Sequence, residues 1–509
     1  MKQLKKAAVF MAIFLAVSGI TVVLVNSWDN LFKTAKTISE QAIGKTDAMA
    51  EVMESIKLSP DGKRIAYIAT AGDKQFVVVD GKAEKPYDSI MEGSPYFSPD
   101  SKHVAYTAQS GGQWLVVADG KEGHPYDGIN TTPTFSPDSE RLAYGVRLGE
   151  KRLIVLDGQA ERQQFDFLGN ILQFSLDSRR VAYTAQLGTQ WLAVVDGKPG
   201  KRYHEIPLLA FSPDSRQVAY SARLGKKHLV VVDGKEGKAY DGILDSTPIF
   251  SPDSKRLAYG VKLGEKRFIV ADGKEGKPYT GIGKYTLSFS PDSRRLAYAA
   301  QSGAKWLVVV EGNEGELYDG IGTRLIFSPD GKRLAYTAAM GNKWLAVVDG
   351  KAGKPYDGIG IGTPIFSPNS KRVAYIALSG ATQFAVVDGT EEQPYEGIGE
   401  NTLIFSPDGR HIAYAAQSGE KQFIVTNGKA GEKYDGIDSA PIFGPDGKHI
   451  VFAALLDNGW LMVVDGRNGK KYDGGIIGQD SASVFDTPDR LHYYAIKDNC
   501  FYWVTEQLK

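Results

Sequence analysis

Cysteine is almost absent: one residue, Cys500, among 509. No disulfide can form within the chain, so packing has to stabilise the fold without one. An excess of either charge is also missing, with 60 Lys and Arg against 60 Asp and Glu. A zero formal charge leaves no general electrostatic footprint for nucleic acid. Histidine is scarce, with seven residues, and no two of them show a metal-ligand spacing such as His-Glu-x-x-His. No Gly-x-Ser-x-Gly elbow, phosphate-binding loop or Asp-x-Asp-x-Asp-Gly calcium loop occurs. These absences point away from an enzyme and imply no cofactor and no metal.

Hydrophobic residues make up 42% of the chain and Gly contributes 57 residues, so the composition is globular and turns are frequent. The chain is too long for one ordinary core. Near its start, Lys2, Lys5 and Lys6 precede the uncharged run Ala7 to Val25. A helix of that length spans roughly 28 Å, about the hydrocarbon thickness of a bilayer. The lysines predict a cytoplasmic N-terminus and an extracytoplasmic body. Residues 1–28 therefore read as a transmembrane anchor, with membrane contact through residues 7–25 and Trp28 at the interface. A cleaved signal is the alternative, with Ala16 and Ser18 as a weak small-x-small site. Residues 29–50 read as a polar, partly helical stalk.

The rest of the chain is repetitive. Ser-Pro-Asp or a near copy recurs with its third residue at Asp61, Asp100, Asp138, Asp177, Asp214, Asp253, Asp292, Asp330, Asn369, Asp408, Asp446 and Asp489. The first eleven copies are 37 to 39 residues apart and the last gap is 43. Residues 247–282, TPIFSPDSKRLAYGVKLGEKRFIVADGKEGKPYTGI, divide into four short apolar runs, A to D. Run A ends at Ser251, run B is Arg256–Val261, run C is Phe268–Ala271, and run D contains Tyr279 and Ile282. Pro252-Asp253, Gly264 and Asp272-Gly273 supply the turns between them. Four antiparallel strands in about 39 residues is the size of a propeller blade. The expected fold is all-β, an array of about twelve four-stranded blades behind an N-terminal transmembrane helix.

The segments FSPDSKHVAY (97–106), FSPDGKRLAY (327–336) and FSPDGRHIAY (405–414) resemble the WD-like, TolB-type β-propeller repeat. The resemblance covers roughly residues 51–509. It implies blades, and it leaves function open, because such blades occur in binding proteins and in prolyl-oligopeptidase-like peptidases. The chain departs from the former in having twice six blades. It departs from the latter in lacking a hydrolase domain. Two propellers, 51–283 and 284–509, are the simplest division, and one large ring over 51–509 is the alternative. The last repeat lacks a run D, which the segment before Glu51 could supply.

Repeated polar residues belong to the scaffold, so function is sought where the copies diverge. Two positions flanking the B–C hairpin vary most: Thr70/Gln75, Gln109/Trp114, Arg147/Arg152, Gln186/Trp191, Arg223/His228, Lys262/Arg267, Gln301/Trp306, Ala339/Trp344, Leu378/Gln383 and Gln417/Gln422. Each pair should face across its hairpin. The candidate partner-binding residues are Arg147, Arg152, Arg223, His228, Lys262, Arg267, Trp114, Trp191, Trp306 and Trp344, a rim basic in its first half and rich in Trp and Gln in its second. Packing against the adjacent blade is the competing explanation. Phe165, Phe167 and His204 depart from the run-D consensus and mark a possible outer docking edge. The expected function is a membrane-anchored, extracytoplasmic, non-catalytic platform for a protein or envelope partner. A propeller-face polysaccharide lyase or hydrolase, and a sensor or assembly subunit of an envelope complex, are the alternatives.

Overall fold

A computed structural model describes residues 37–45, 49–438, 440–477 and 485–508. Twelve separate antiparallel sheets follow one another along these residues. Blade 6 shows the pattern. Strand A is split into Gly242–Ile243 and Ile249–Phe250, strand B is Leu257–Leu263, strand C is Lys266–Ala271, and strand D starts at Lys274–Glu275. Strands B and C are buried on both faces because each sheet is sandwiched between two others. The C–D turn at Asp272-Gly273 has positive φ at both residues (54° and 76°), as a two-residue hairpin turn of matching twist requires. Its Asp272 carboxylate then accepts the N–H of Leu257 at 3.0 Å and pairs with Arg256 Nε at 3.0 Å, tying the turn to the start of strand B.

One boundary differs from the sequence expectation. Strand D ends at Tyr279, which pairs with Arg267, whereas Ile282 lies in strand A of blade 7 and pairs with Ala300. Only Thr280 separates Tyr279 from the first strand-A residue, Gly281, because strand A of each blade begins directly beside strand C of the one before.

Three belts of contacts join successive blades. At the A–B turns, Ser59 Oγ donates to Asp61 Oδ1 at 2.6 Å, and the Asp61 N–H donates to Ser101 Oγ of blade 2 at 2.9 Å. The same bond links Asp214 to Ser254 and Asp253 to Ser293. Beside it, the arginine opening strand B lies over the next blade's phenylalanine, as Arg256 does over Phe289. At the opposite end of strand B, an acid at many of the D–A junctions spans two hairpins: Asp241 takes Lys227 of blade 5 at 2.7 Å and the Gly264 N–H of blade 6 at 2.7 Å. Along strand D, Tyr240 Oη donates to Glu275 at 2.9 Å, and Lys238 pairs with the same carboxylate. The Asp-Gly pairs are thus of two kinds. Asp272-Gly273 is a hairpin turn; Asp241-Gly242 is an inter-blade link.

Blades 6 and 7 meet as other neighbours do, with Ala258, Ile269 and Tyr279 packed on Tyr298, Leu307 and Val309. No break in packing falls near residue 283. Blade 12 packs on blade 1 through Tyr494, Ile496 and Phe501 against Ile65, Tyr67 and Val78. The twelve blades therefore form one ring. Its last sheet is completed by Thr37–Lys45, which pairs with Cys500–Gln507. The expected stalk over 29–50 is corrected by this strand: residues 37–45 are the strand D that the last repeat lacks. Helix Met49–Ser55 follows and contacts strand B of blade 1. The proposed anchor, residues 7–25, lies outside the described residues, and among those residues no helix is long and apolar enough to cross a membrane.

Candidate binding rim and inter-blade clefts

The divergent pairs stand directly opposite each other across the B–C hairpins, as Arg147 and Arg152, Gln186 and Trp191, and Gln301 and Trp306 show. Each pair belongs to a four-residue row. In blade 7 the row runs from Gly281 of strand A through Gln301 and Trp306 to Tyr318 of strand D. A side chain there would push Gln301 aside: a Cβ on Gly281 would come within 2.7 Å of Gln301 Oε1 and 3.5 Å of the Trp306 ring. All A–B turns lie in one belt, so all B–C hairpins, at the other end of strand B, project from the opposite side of the ring.

The strand-C members are committed to the neighbouring blade. Gln75, Gln383 and Gln422 each accept, through Oε1, the main-chain N–H of an isoleucine in the next strand A, at 2.7 to 2.9 Å. Arg267 donates to the Thr280 carbonyl at 2.7 Å, and Arg152 donates to the Asp166 carbonyl while lying over the Phe167 ring. Trp191 packs on the blade 5 core beside Ile206 and Leu209, and meets Phe167 of its own blade edge-on at 6.0 Å. Trp114 and Trp306 are half-buried, as is His228, whereas Trp344 is 37% exposed.

The strand-B members are more open. Arg147 is exposed and donates to the Asp127 carbonyl at 2.6 Å; Arg223 pairs with Glu205 at 3.0 Å; Lys262 is exposed. Phe165 takes the place of the strand-D tyrosine and is fully buried, and Phe167 opens strand A of blade 4. His204 replaces the junction aspartate, its Nδ1 accepting the Gly225 N–H at 3.1 Å. Phe165 and His204 thus lie at blade joints, whereas Phe167 is 44% exposed beside Arg152 and Trp191.

The sequence reading missed a second divergent position, the loop that splits strand A. It reads LDSTP at 244–248, GKYTL at 283–287, GIGTP at 360–364 and GENTL at 399–403. The signal was available, since these stretches lie between two constant motifs, Gly-Ile and Phe-Ser-Pro. A threonine fixes each loop. Thr402 Oγ1 donates to the Gly399 carbonyl at 2.8 Å and accepts the Ala415 N–H at 3.1 Å. Adjacent loops enclose clefts whose walls include the rim. One of about 390 Å³ between blades 6 and 7 is lined by Asp245, Arg267, Lys284 and Tyr285. Two more, of about 220 and 540 Å³, flank the strand-A loop of blade 10. Tyr285 and Ile361, at the first cleft and at the smaller of these two, are each 67% exposed.

Titration behaviour is set by the joints. The Ser136 hydroxyl and the Glu140 N–H hold Asp138 below the usual carboxylate range, and Asp177 and Asp214 are lowered in the same way. Burial lowers His492, whose Nδ1 lies 3.1 Å from Asp486 Oδ1 and whose ring stacks on Trp503 at 4.5 Å. Among the described residues no group of three or more His, Cys, Asp or Glu is placed to hold a metal ion.

No protein-family model and no curated protein matches the chain. Solved structures do resemble it. A eukaryotic initiation factor is 14% identical with a TM-score of 0.36, over 66% of this chain and 96% of that one. The β-propeller domain of the Trilobed protease from Pyrococcus furiosus is 16% identical with a TM-score of 0.26, over 52% and 94%. TolB from Acinetobacter baumannii is 17% identical with a TM-score of 0.23, over 52% and 77%. Twelve four-stranded sheets in a ring define the fold independently of these likenesses, and the chain is a twelve-bladed β-propeller repeat protein.

Proposed function

We propose that this protein is a non-catalytic binding platform, tethered to a membrane through residues 7–25, with its recognition surface on the B–C side of the ring. One observation carries the reading. On the B–C side, the most exposed large apolar side chains among the described residues, Tyr285 and Ile361, stand on inter-blade clefts within the divergent loops, while many constant polar residues are consumed by joints between blades. Exposed aromatic and apolar side chains beside fixed polar groups are the usual anchors of an interface.

The direction of the closing strand supports the orientation. Thr37 pairs with Gln507, which pairs with Arg490 beside the last A–B turn, whereas Lys45 pairs with Cys500 at the B–C hairpin. The chain thus enters the ring from the A–B side. A bilayer holding residues 7–25 would lie on that side, and the divergent rim would face away from it.

The test is crosslinking of the intact chain in its native membranes, comparing wild type with Tyr285→Ser/Trp344→Ser/Ile361→Ser. Partners lost from the variant at unchanged thermal stability support the platform. An identical partner set from both proteins overturns it.

A further inference from the structure

The two clefts beside blade 10 differ in chemistry from the cleft between blades 6 and 7. The latter has Arg267 and Lys284 in its walls. Among the described residues the blade-10 clefts are lined by no Lys or Arg; their polar lining includes Glu400, Asn401, Gln383, Gln417, Gln422 and Asp438. Glu400 and Asn401 belong to both clefts, so the two are contiguous across a single loop. Their floors are apolar, with Ile398 in both, Ile359 and Ile376 in one and Ile437 in the other.

The glutamines and the loop backbone are fixed before any ligand arrives, while the Glu400 carboxylate is exposed at the loop tip. Gln383 and Gln422 have their Oε1 atoms bonded to the Ile398 and Ile437 N–H groups, which leaves each Nε2 as the remaining donor. Gln417 donates its Nε2 to the Gly419 carbonyl at 3.0 Å, which leaves Oε1 as an acceptor. The loop carrying Glu400 and Asn401 is pinned by Thr402. The Asn401 amide also lies against the blade 9 loop, since a Cβ on Gly362 would meet Asn401 Oδ1 at 2.2 Å.

Two fixed amides one blade apart, Gln383 and Gln422, above apolar floors and with the exposed Glu400 and Asn401 between them, suit a ligand with many hydroxyl groups and an apolar face, itself a repeating polymer. A phosphorylated or otherwise anionic ligand would find no cation in these walls. We propose that the blade 9–11 clefts bind a neutral or amino-bearing oligosaccharide, adjacent sugar units occupying the two clefts on either side of Glu400 and Asn401. This inference rests on the platform reading and names a ligand class for part of that surface.

The experiment is saturation-transfer NMR and calorimetry on the full chain in detergent, with cellotetraose, chitotetraose, chitosan tetramer and maltotetraose as probes. At least one probe is expected to bind. Glu400→Gln is expected to weaken it about tenfold or more, the scale of a lost charge-assisted hydrogen bond, as is Asn401→Ala. Leu176→Ser, in the exposed A–B turn of blade 4 on the opposite side of the ring, should leave it unchanged. Failure of all four probes to bind, or binding indifferent to both blade-10 substitutions, overturns the proposal. Loss of rim-dependent crosslinks is a separate result and bears on the platform alone.

Discussion

Tyr472 donates a hydrogen bond of 2.5 Å to Glu40, a residue 432 positions earlier. Lys470 pairs with the same carboxylate, whose side chain is 13% exposed. The pair reproduces the bond from Tyr240 and Lys238 to Glu275. The first strand of the ring therefore takes the place of a repeat's own strand D, with the same acid in the same contact.

Glu40→Ala should weaken this closure alone. It leaves a buried phenol without its acceptor, a loss of about 1–3 kcal/mol. Native-state hydrogen exchange is expected to show faster exchange in Cys500–Gln507 while blades 5 to 8 keep their protection. Uniform loss of protection would mean that the ring melts as one unit.

Gly81 and Gly158 are equivalent turn glycines, both with φ near 77° (78° and 76°). A Cβ on Gly158 meets nothing within 4 Å, so Gly158→Ala should cost only the left-handed backbone penalty, about 1–2 kcal/mol. A Cβ on Gly81 would fall 1.9 Å from the Ile43 carbonyl oxygen. Gly81→Ala should in addition displace the closing strand. Limited proteolysis between residues 37 and 57, fast in one variant and slow in the other, separates the two effects.

Gln422 and Gln417 face each other on one hairpin but do different work. Gln422→Ala strands the Ile437 N–H and should cost about 1–3 kcal/mol. Gln417 bonds only within its own exposed turn, so Gln417→Ala should stay within about 0.5 kcal/mol of wild type. Chemical denaturation of both variants measures the difference, and equal effects would remove the distinction between joint and open rim.

Two pH dependences follow, with opposite chemistry and the same direction. His492 is lowered from 6.5, chiefly by burial and further by Lys63, although Asp486 and Asp61 oppose it. As pH falls below about 6.5 the unfolded chain takes up this proton before the folded one, so stability declines. Most other blades have alanine at this position, as at Ala258 and Ala297. His492→Ala should flatten the stability profile between about pH 7 and 5. The turn aspartates, Asp138, Asp177 and Asp214 among them, are lowered from 3.8 by their serine hydroxyls and main-chain N–H groups. Their contribution is complete above 3.8 and is lost as pH falls further, toward their lowered values. Urea midpoints from pH 8 to 3 resolve the two steps; a wild-type profile unchanged by His492→Ala above pH 5 would discount the first.

Strand number, turn positions and blade size were legible in the sequence because each repeat carries its own local rules. Ser-Pro-Asp closes one turn, Asp-Gly with two positive φ values closes another, and Leu-Ala-Tyr alternates between two buried faces. The facing of Arg147 and Arg152, or of Gln301 and Trp306, followed from hairpin register alone. What local rules could not supply was the partner of each side chain. Whether Gln422 is a joint or a reader depends on Ile437, in the next sheet. Whether Asp241 is a turn residue or a link depends on two hairpins of different blades. The strand-A loops enclose clefts only because two of them come side by side. Closure into one ring is decided by Glu40 meeting Tyr472 and by Tyr67 meeting Phe501, contacts more than 400 residues apart that no repeat encodes.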